Sequence, residues 1–145
     1  MNEVLLLHYE IRGGDFIHAG ESSGHVKNIL KRLGFHPNLI RRTAIAMYEG
    51  EINMVIHAGG GTADVKITPE QIEIRLADHG PGIKNLDLAM REGYSTASDS
   101  VRELGFGAGM GLPNMKKYAD DLKIRTAVGK GTTVSILTKV SRNQG

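Results

Sequence analysis

The fold is decided by residues 63–82, which read ADVKITPEQIEIRLADHGPG. Apolar and polar residues alternate over 63–67 and again over 72–76, and a period of two is that of a half-buried strand. Residues 68–71 make a tight connection between these two runs, and Asp78 opens a Gly/Pro turn directly after the second. This stretch therefore predicts two adjacent strands followed by a turn.

The segments before this stretch predict one more strand and two helices. Alternation over 5–11 is typical of a first strand, and apolar residues at helical spacing predict helices over 19–33 and 38–57. Gly34 followed by Phe35 is typical of a helix C-cap, with glycine just past the last turn and an apolar residue after it. The glycines that follow residue 58 are expected to end the second helix.

The segments after it predict a short helix near 86–90, a loop over 91–111 and a helix over 113–121. Two final strands are expected over 123–128 and 132–140, on either side of a glycine turn suited to a hairpin.

This order of elements predicts an α/β fold. Strands that pair as hairpins favour a two-layer sandwich, with a mostly antiparallel sheet covered on one face by helices. A doubly wound parallel sheet is less favoured because strict strand-helix-strand alternation is missing. We expect a single domain over residues 1–145.

Composition excludes several classes of function. The chain has no cysteine, which excludes disulfides, thiolate catalysis and thiolate metal sites. A net charge of +2, an aromatic content of 5% and the absence of tryptophan give no indication of nucleic-acid binding. No apolar run approaches the ~20 residues of a membrane span, and no signal peptide is indicated. The expected location is the cytoplasm. Glycine, with 19 residues, is the one outlier.

Three polar side chains recur at four-residue spacing on the second predicted helix: Glu49, Asn53 and His57. That spacing stacks them along one helix face. The simpler interpretation is a row of solvent-exposed side chains. The alternative is a metal site, and because Glu and Asn offer oxygen ligands, Mg²⁺ would suit it better than zinc. His57 either lies near bound phosphates or, as we prefer, caps the helix C-terminus as a cation.

Two further elements are rich in glycine. Residues 78–82 read DHGPG, in which an aspartate at a strand end can accept a hydrogen bond from an exocyclic amine and the glycines admit a flat ligand. The alternative is a turn whose aspartate caps its own backbone. Residues 105–112 read GFGAGMGL before a helix, which suits a phosphate cradle of backbone N–H groups. The alternative is a merely flexible loop.

A fourth element, Gly131 and Thr132, enters the last predicted strand and alone is a common hairpin exit. In order and spacing, however, the four elements together resemble the boxes of the GHKL superfamily, whose ATP site is the Bergerat fold. The N box is matched by Glu49 and Asn53, the two G boxes by residues 78–82 and 107–111, and the Gly-Thr box by Gly131 and Thr132.

The resemblance implies ATP and Mg²⁺ as cofactors. It implies Glu49 as the catalytic base and Asn53 as the metal ligand. Asp78 would bind the adenine amino group with support from Thr132, and Gly82 would give the base room. Gly107, Gly109 and Gly111 would offer backbone N–H groups to the phosphates. The cofactor-binding residues that it implies are Asn53, Asp78, Gly80, Gly82, Gly105, Gly107, Gly109, Met110, Gly111, Leu112 and Thr132.

Within the superfamily the chain looks closest to the small bacterial serine/threonine kinases that regulate sigma factors, of the stressosome switch type. Residues 92–96 and 109–115 carry this likeness. It implies a STAS-domain antagonist protein as substrate. It leaves open a homodimer, and a downstream phosphatase or a sigma factor as a further partner. The loop at 91–111, which would form a lid over the nucleotide, is longer here, with extra residues at 99–104. No basic residue of this loop is therefore carried over as a γ-phosphate contact.

Two alternatives to a kinase stay open from the sequence. One is an anti-sigma or partner-switching module that uses ATP mainly as a structural ligand, and the other is a plain ATPase.

Overall fold

Five strands and three helices lie within residues 3–83, 86, 90 and 111–140, the part of the chain that this computed structural model describes. The strands are β1 (Leu5–Arg12), β2 (Gly60–Ile67), β3 (Gln71–Ala77), β4 (Asp121–Ala127) and β5 (Gly131–Lys139). The helices are α1 (Glu21–Arg32), α2 (Pro37–His57) and α3 (Gly111–Tyr118).

The strands form one sheet in the order β1-β2-β3-β5-β4, and every neighbouring pair is antiparallel. Val65, Ile74 and Ile136 are paired across the three central strands, and their buried side chains join the core under the helices. Lys66 and Glu73, which are adjacent to Val65 and Ile74 along their strands, are exposed on the other face. The fold is therefore the predicted two-layer α/β sandwich.

α2 is the central helix of the covering layer and packs against α1, α3 and the sheet. Its buried face includes Leu39 and Met47, which are 0% exposed. One polar pair lies within this core: the Thr43 and Thr138 hydroxyls, both 0% exposed, share a hydrogen bond of 2.8 Å. Because a buried hydroxyl without a partner is costly, this pair favours one register of α2 on β5.

The predicted cap after α1 is confirmed. Gly34 has a φ of 82°, and the amides of Gly34 and Phe35 donate to the carbonyls of Lys31 (3.1 Å) and Leu30 (3.2 Å). These are the two hydrogen bonds of a Schellman motif, which needs a left-handed residue at the position of Gly34.

The start of β2 and the end of α3 show the largest differences from the prediction, three residues each. β2 begins at Gly60, three residues before the predicted start at 63. Gly60 pairs with Arg12 of β1, and a Cβ on Gly60 would overlap the carbonyl of Ile11. The glycines therefore do more than end α2: they let β2 approach β1 closely.

α3 spans Gly111–Tyr118 rather than the predicted 113–121. It stops earlier because the amide of Asp120 already donates to the Leu137 carbonyl of β5, at 2.8 Å. Most of the predicted loop lies outside the described residues. Within the predicted helix at 86–90, the Met90 amide donates to the Leu86 carbonyl at 3.0 Å, which is the bond of one helical turn.

Candidate functional site

Glu49 lies on α2 at the contact with α3. Its carboxylate is half-buried and accepts a hydrogen bond from Asn114 Nδ2 at 3.4 Å. Burial raises the pKa of the Glu49 carboxyl, and the hydrogen bond from Asn114 acts in the opposite direction. The raised pKa makes Glu49 a stronger base than an exposed glutamate, which is the property a proton acceptor needs.

Asn53 lies one helical turn after Glu49 and meets the first residue of α3. A Cβ on Gly111 would lie 2.8 Å from both Asn53 Nδ2 and Asn53 Oδ1. The start of α3, with its partial positive charge, therefore abuts the Asn53 amide. Leu112, the next residue, is only 7% exposed and belongs to the core, so its side chain anchors α3.

His57 lies in the last turn of α2, where helix capping was expected. Burial lowers the pKa of its imidazole, so the neutral ring is favoured at neutral pH. This lowered pKa disfavours the cationic form that the preferred interpretation requires.

A second group of residues lies at the ends of β3 and β5. Asp78 Oδ1 accepts hydrogen bonds from the amides of Gly80 (2.8 Å) and Thr132 (3.1 Å). The Asp78 amide in turn donates to the Thr132 carbonyl at 2.9 Å. The bond to Gly80 is the self-capping turn of the simpler interpretation. Within the described ranges no hydrogen bond reaches Oδ2, so this second oxygen suits an external donor such as an amino group.

The glycines of this loop allow close approaches between backbones. A Cβ on Gly80 would lie 2.7 Å from the Ala58 Cα, just past the end of α2. Gly82 has a φ of 77°, and a Cβ there would overlap the Ala127 carbonyl of β4. The loop at 78–83 is therefore fixed both to α2 and to the β4-β5 hairpin.

Thr126 on β4 was not anticipated from the sequence. It pairs with Thr132 across the hairpin, and the two hydroxyl oxygens are 2.9 Å apart. Thr126 Oγ1 also accepts the Ile83 amide at 2.8 Å. The one signal for Thr126 in the sequence was its position opposite Thr132, a predicted binding residue, in the expected hairpin.

Glu51 was also missed. It lies on α2, is 2% exposed, and accepts the amides of Gly20 (2.9 Å) and Ser23 (3.1 Å). Its carboxylate therefore caps the N-terminus of α1. The signal in the sequence was an acidic residue directly between Gly50 and Ile52 in the second predicted helix.

The remaining predicted ligands lie outside the described residues: Gly105, Gly107, Gly109 and Met110. In the described part of the chain no cluster of three His, Cys, Asp or Glu side chains could hold a metal ion. That does not conflict with Mg²⁺, which keeps several waters and binds through one or two protein ligands plus phosphate oxygens. None of the described helices has the length and hydropathy of a transmembrane segment.

The arrangement places a basic carboxylate, an amide and a helix N-terminus at one end of the site and an aspartate-threonine pair at the other. A family model described as "Histidine kinase-, DNA gyrase B-, and HSP90-like ATPase" matches residues 39–142. The chain belongs to this GHKL ATPase family. Membership indicates ATP binding.

Relatives within the GHKL family cover most of the chain. Serine/threonine-protein kinase RsbT of Bacillus subtilis is 28% identical over 115 residues, which are 77% of this chain and 80% of that protein. An anti-sigma F factor of Caldanaerobacter subterraneus is 32% identical over 104 residues, 68% of this chain and 69% of that one.

A solved structure of RsbU and RsbW domains from Mycobacterium tuberculosis has a TM-score of 0.64 at 15% identity. The alignment covers 95% of this chain and 33% of that longer chain. At this identity the likeness supports the GHKL fold alone.

Proposed function

We propose that this GHKL protein is an ATP-dependent serine/threonine kinase that phosphorylates a STAS-type antagonist protein in a partner-switching pathway. The observation that carries the proposal is the setting of Glu49: a half-buried carboxylate of raised pKa, one helical turn from Asn53. A base at this point would serve phosphoryl transfer to a hydroxyl or to water, and is not needed to bind ATP alone. The relative named as a serine/threonine-protein kinase supports the same activity.

In the proposed reaction Glu49 accepts the proton of a serine or threonine hydroxyl on the partner. The hydroxyl oxygen forms a bond to the γ-phosphorus as the bond to the β-γ bridging oxygen breaks, which yields a phosphoprotein and ADP. The Asn114 amide, which donates to Glu49, orients the carboxylate for this task.

The nucleotide would be held at both ends of the site. MgATP would supply the phosphoryl group and part of its charge neutralisation. Asn53 would bind Mg²⁺ through its Oδ1, beside the N-terminus of α3. Asp78 Oδ2 would accept the adenine amino group, with Thr132 at the same edge of the base. Backbone N–H groups within 105–111 would complete the phosphate site, as the sequence predicts.

A second candidate function is that of an anti-sigma or partner-switching module, since two relatives that are 32% identical are named anti-sigma F factor. In that case the chain would be a binding module that uses ATP as a structural ligand and transfers little phosphate. The two proposals share the nucleotide site and differ in what Glu49 does.

Phosphate transfer to a partner separates them. The chain is incubated with a purified STAS-domain protein and γ-labelled ATP, and the labelled residue is mapped by mass spectrometry. We expect labelling of a serine or threonine, and a loss of at least about a hundredfold in rate for Glu49→Gln with ATP affinity retained.

The matched control is Glu73→Gln, which removes a carboxylate from the exposed face of the sheet. It should transfer phosphate at the wild-type rate. Tight ATP binding without transfer to any STAS protein encoded beside it would favour the binding module. Rapid ATP hydrolysis without a protein substrate would favour a plain ATPase.

A further inference from the structure

Two cationic side chains meet at the ring of Tyr118, the last residue of α3. Arg41 Cζ lies 5.6 Å and Lys117 Nζ lies 5.4 Å from the ring centroid, and both distances are within the range of a cation–π contact. The ring itself is partly buried and packs against the hydrophobic core, whereas Arg41 and Lys117 are exposed. Tyr118 therefore holds two exposed positive charges in one place, and these three residues are called the cationic patch.

The positive charges of the patch are not neutralised by a carboxylate in the part of the chain that the structure describes. Arg42, beside the patch, pairs with Asp120 at 3.4 Å. The other salt bridges of that part do not involve Arg41 or Lys117. The α3 dipole favours Lys117, in the last turn of that helix, but Arg41 lies in the second turn of α2, near its positive end. Ion pairing and helix dipoles thus leave the charge at position 41 unexplained, and a negatively charged ligand would account for it.

The patch lies along the same helix-helix contact as Glu49. Asn114 on α3 donates to Glu49, and Tyr118, one turn later on α3, meets Arg41, two turns earlier on α2. The two helices are therefore antiparallel, with the patch at one end of their contact. Arg41 comes eight residues before Glu49, which is roughly 12 Å along the helix axis at 1.5 Å per residue. A protein whose hydroxyl reaches Glu49 would contact the patch with a neighbouring part of its surface.

We propose that the cationic patch binds an acidic group of the protein substrate, about 12 Å from the hydroxyl that Glu49 deprotonates. This inference rests on the proposed kinase function and adds a recognition feature of its substrate. In an extended segment, at about 3.3 Å per residue, the acidic side chain would lie about four residues from the phosphorylated serine or threonine. In a folded partner the same separation applies through space.

The size of the patch favours one or two acidic side chains over a polyanion. Nucleic acids and anionic membranes are bound through longer arrays of basic residues than Arg41 and Lys117 provide. The exposed Asp120, two residues after Tyr118, would also repel a surface that carries many negative charges.

Neutral variants of the full chain test the patch. Phosphate transfer from γ-labelled ATP is measured over a range of concentrations of the purified STAS-domain protein. For the double variant Arg41→Gln, Lys117→Gln we expect KM for that protein to rise about tenfold, since each exposed ion pair contributes a factor of roughly three. The kcat and the KM for ATP should stay at wild-type values, because binding that is lost equally in the ground and transition states changes KM alone.

The matched control is the double variant Lys66→Gln, Arg75→Gln, which removes the same net charge from the exposed face of the sheet. It should keep the wild-type KM, and a cooperative melt of each variant shows that the fold is retained. A charge swap adds a positive test. An acidic residue of the STAS protein about 12 Å from its phosphorylated residue is changed to lysine, and Arg41→Glu, Lys117→Glu should restore the transfer that either change alone weakens.

An unchanged KM in Arg41→Gln, Lys117→Gln, or an equal rise in the control, would overturn the docking role, while transfer by the wild type would still support the kinase. Binding to phosphatidylserine vesicles that the double variant loses, with KM unchanged, would reassign the patch to a membrane surface. A wild-type chain that transfers no phosphate to any STAS protein would overturn both this inference and the proposed function.

Discussion

Gly111 and Asn53 lie so close that a Cβ on Gly111 would come within 2.8 Å of both polar atoms of the Asn53 side chain. Gly111 is the first residue of α3 and does not have a positive φ, so its backbone accepts any residue. Glycine is therefore required at position 111 by its contact with Asn53 and not by its backbone conformation.

Gly111→Ala should therefore separate stability from binding. Alanine suits a helix better than glycine by about 1 kcal/mol, so the midpoint of thermal unfolding should stay level or rise. The added methyl displaces Asn53, and we expect the affinity for MgATP to fall about tenfold or more, as for loss of one good ligand interaction. Calorimetric titration with and without Mg²⁺ measures this, and unchanged affinity would argue against Asn53 as the metal ligand.

Asp78→Asn tests the base-binding end of the site. Asparagine keeps the Oδ1 atom that accepts the amides of Gly80 and Thr132, so the cooperative melt should persist. Its Nδ2 would face the adenine amino group, donor against donor, and we expect ATP affinity to fall by about tenfold to a hundredfold. Loss of the cooperative melt would instead mean that Asp78 serves mainly to hold the loop.

Glu49 should make both stability and activity depend on pH. Because burial raises its pKa in the folded state, the folded chain binds this proton more tightly than the unfolded chain. The protonated Glu49 therefore stabilises the fold. This stabilisation is complete below the pKa of Glu49 in the unfolded chain and is lost as the pH rises through its pKa in the folded chain.

Glu49→Gln removes that dependence. The variant should melt at a higher temperature than the wild type at pH 7–8, and the difference should vanish near pH 4. Phosphate transfer by the wild type should show the opposite trend and rise with pH through the same pKa, since only the carboxylate accepts a proton. A transfer rate that is flat across this range would count against Glu49 as the base.

Glu51 should matter for stability. It is 2% exposed and accepts two amides at the start of α1. Glu51→Ala leaves those amides without their acceptor and should lower the free energy of unfolding by roughly 2–3 kcal/mol. Urea denaturation measures the loss. Glu73→Ala on the exposed face is the control, expected within about 0.5 kcal/mol of wild type, and equal losses in both variants would contradict the capping role.

The fold could be predicted from the sequence because its signals are local. Alternation within each strand and the cap at Gly34 depend on neighbouring residues. The start of β2 was missed because Gly60 is required by Ile11, a residue of another strand. The end of α3 was missed because β5 captures the Asp120 amide.

The candidate site likewise has residues that local sequence marks and residues whose partners are distant in sequence. Asp78 and Thr132 were marked by glycines beside them in the sequence, and the structure places them in contact. The partners of Glu49 and Glu51 lie 65 and 28 or more residues away along the chain. No local pattern specifies such pairs, since they arise only when α2 is packed between α1 and α3.

Because Gly80 packs against Ala58 at the end of α2, this helix sets the distance between the two ends of the site. Asn53 lies five residues before Ala58, roughly 7.5 Å along the helix axis at 1.5 Å per residue. The span between the base-binding loop and the metal-binding amide is thus set by a count of residues. Inserting one residue between them would turn Asn53 by about 100° and point it away from any phosphate, even though every ligand was still present.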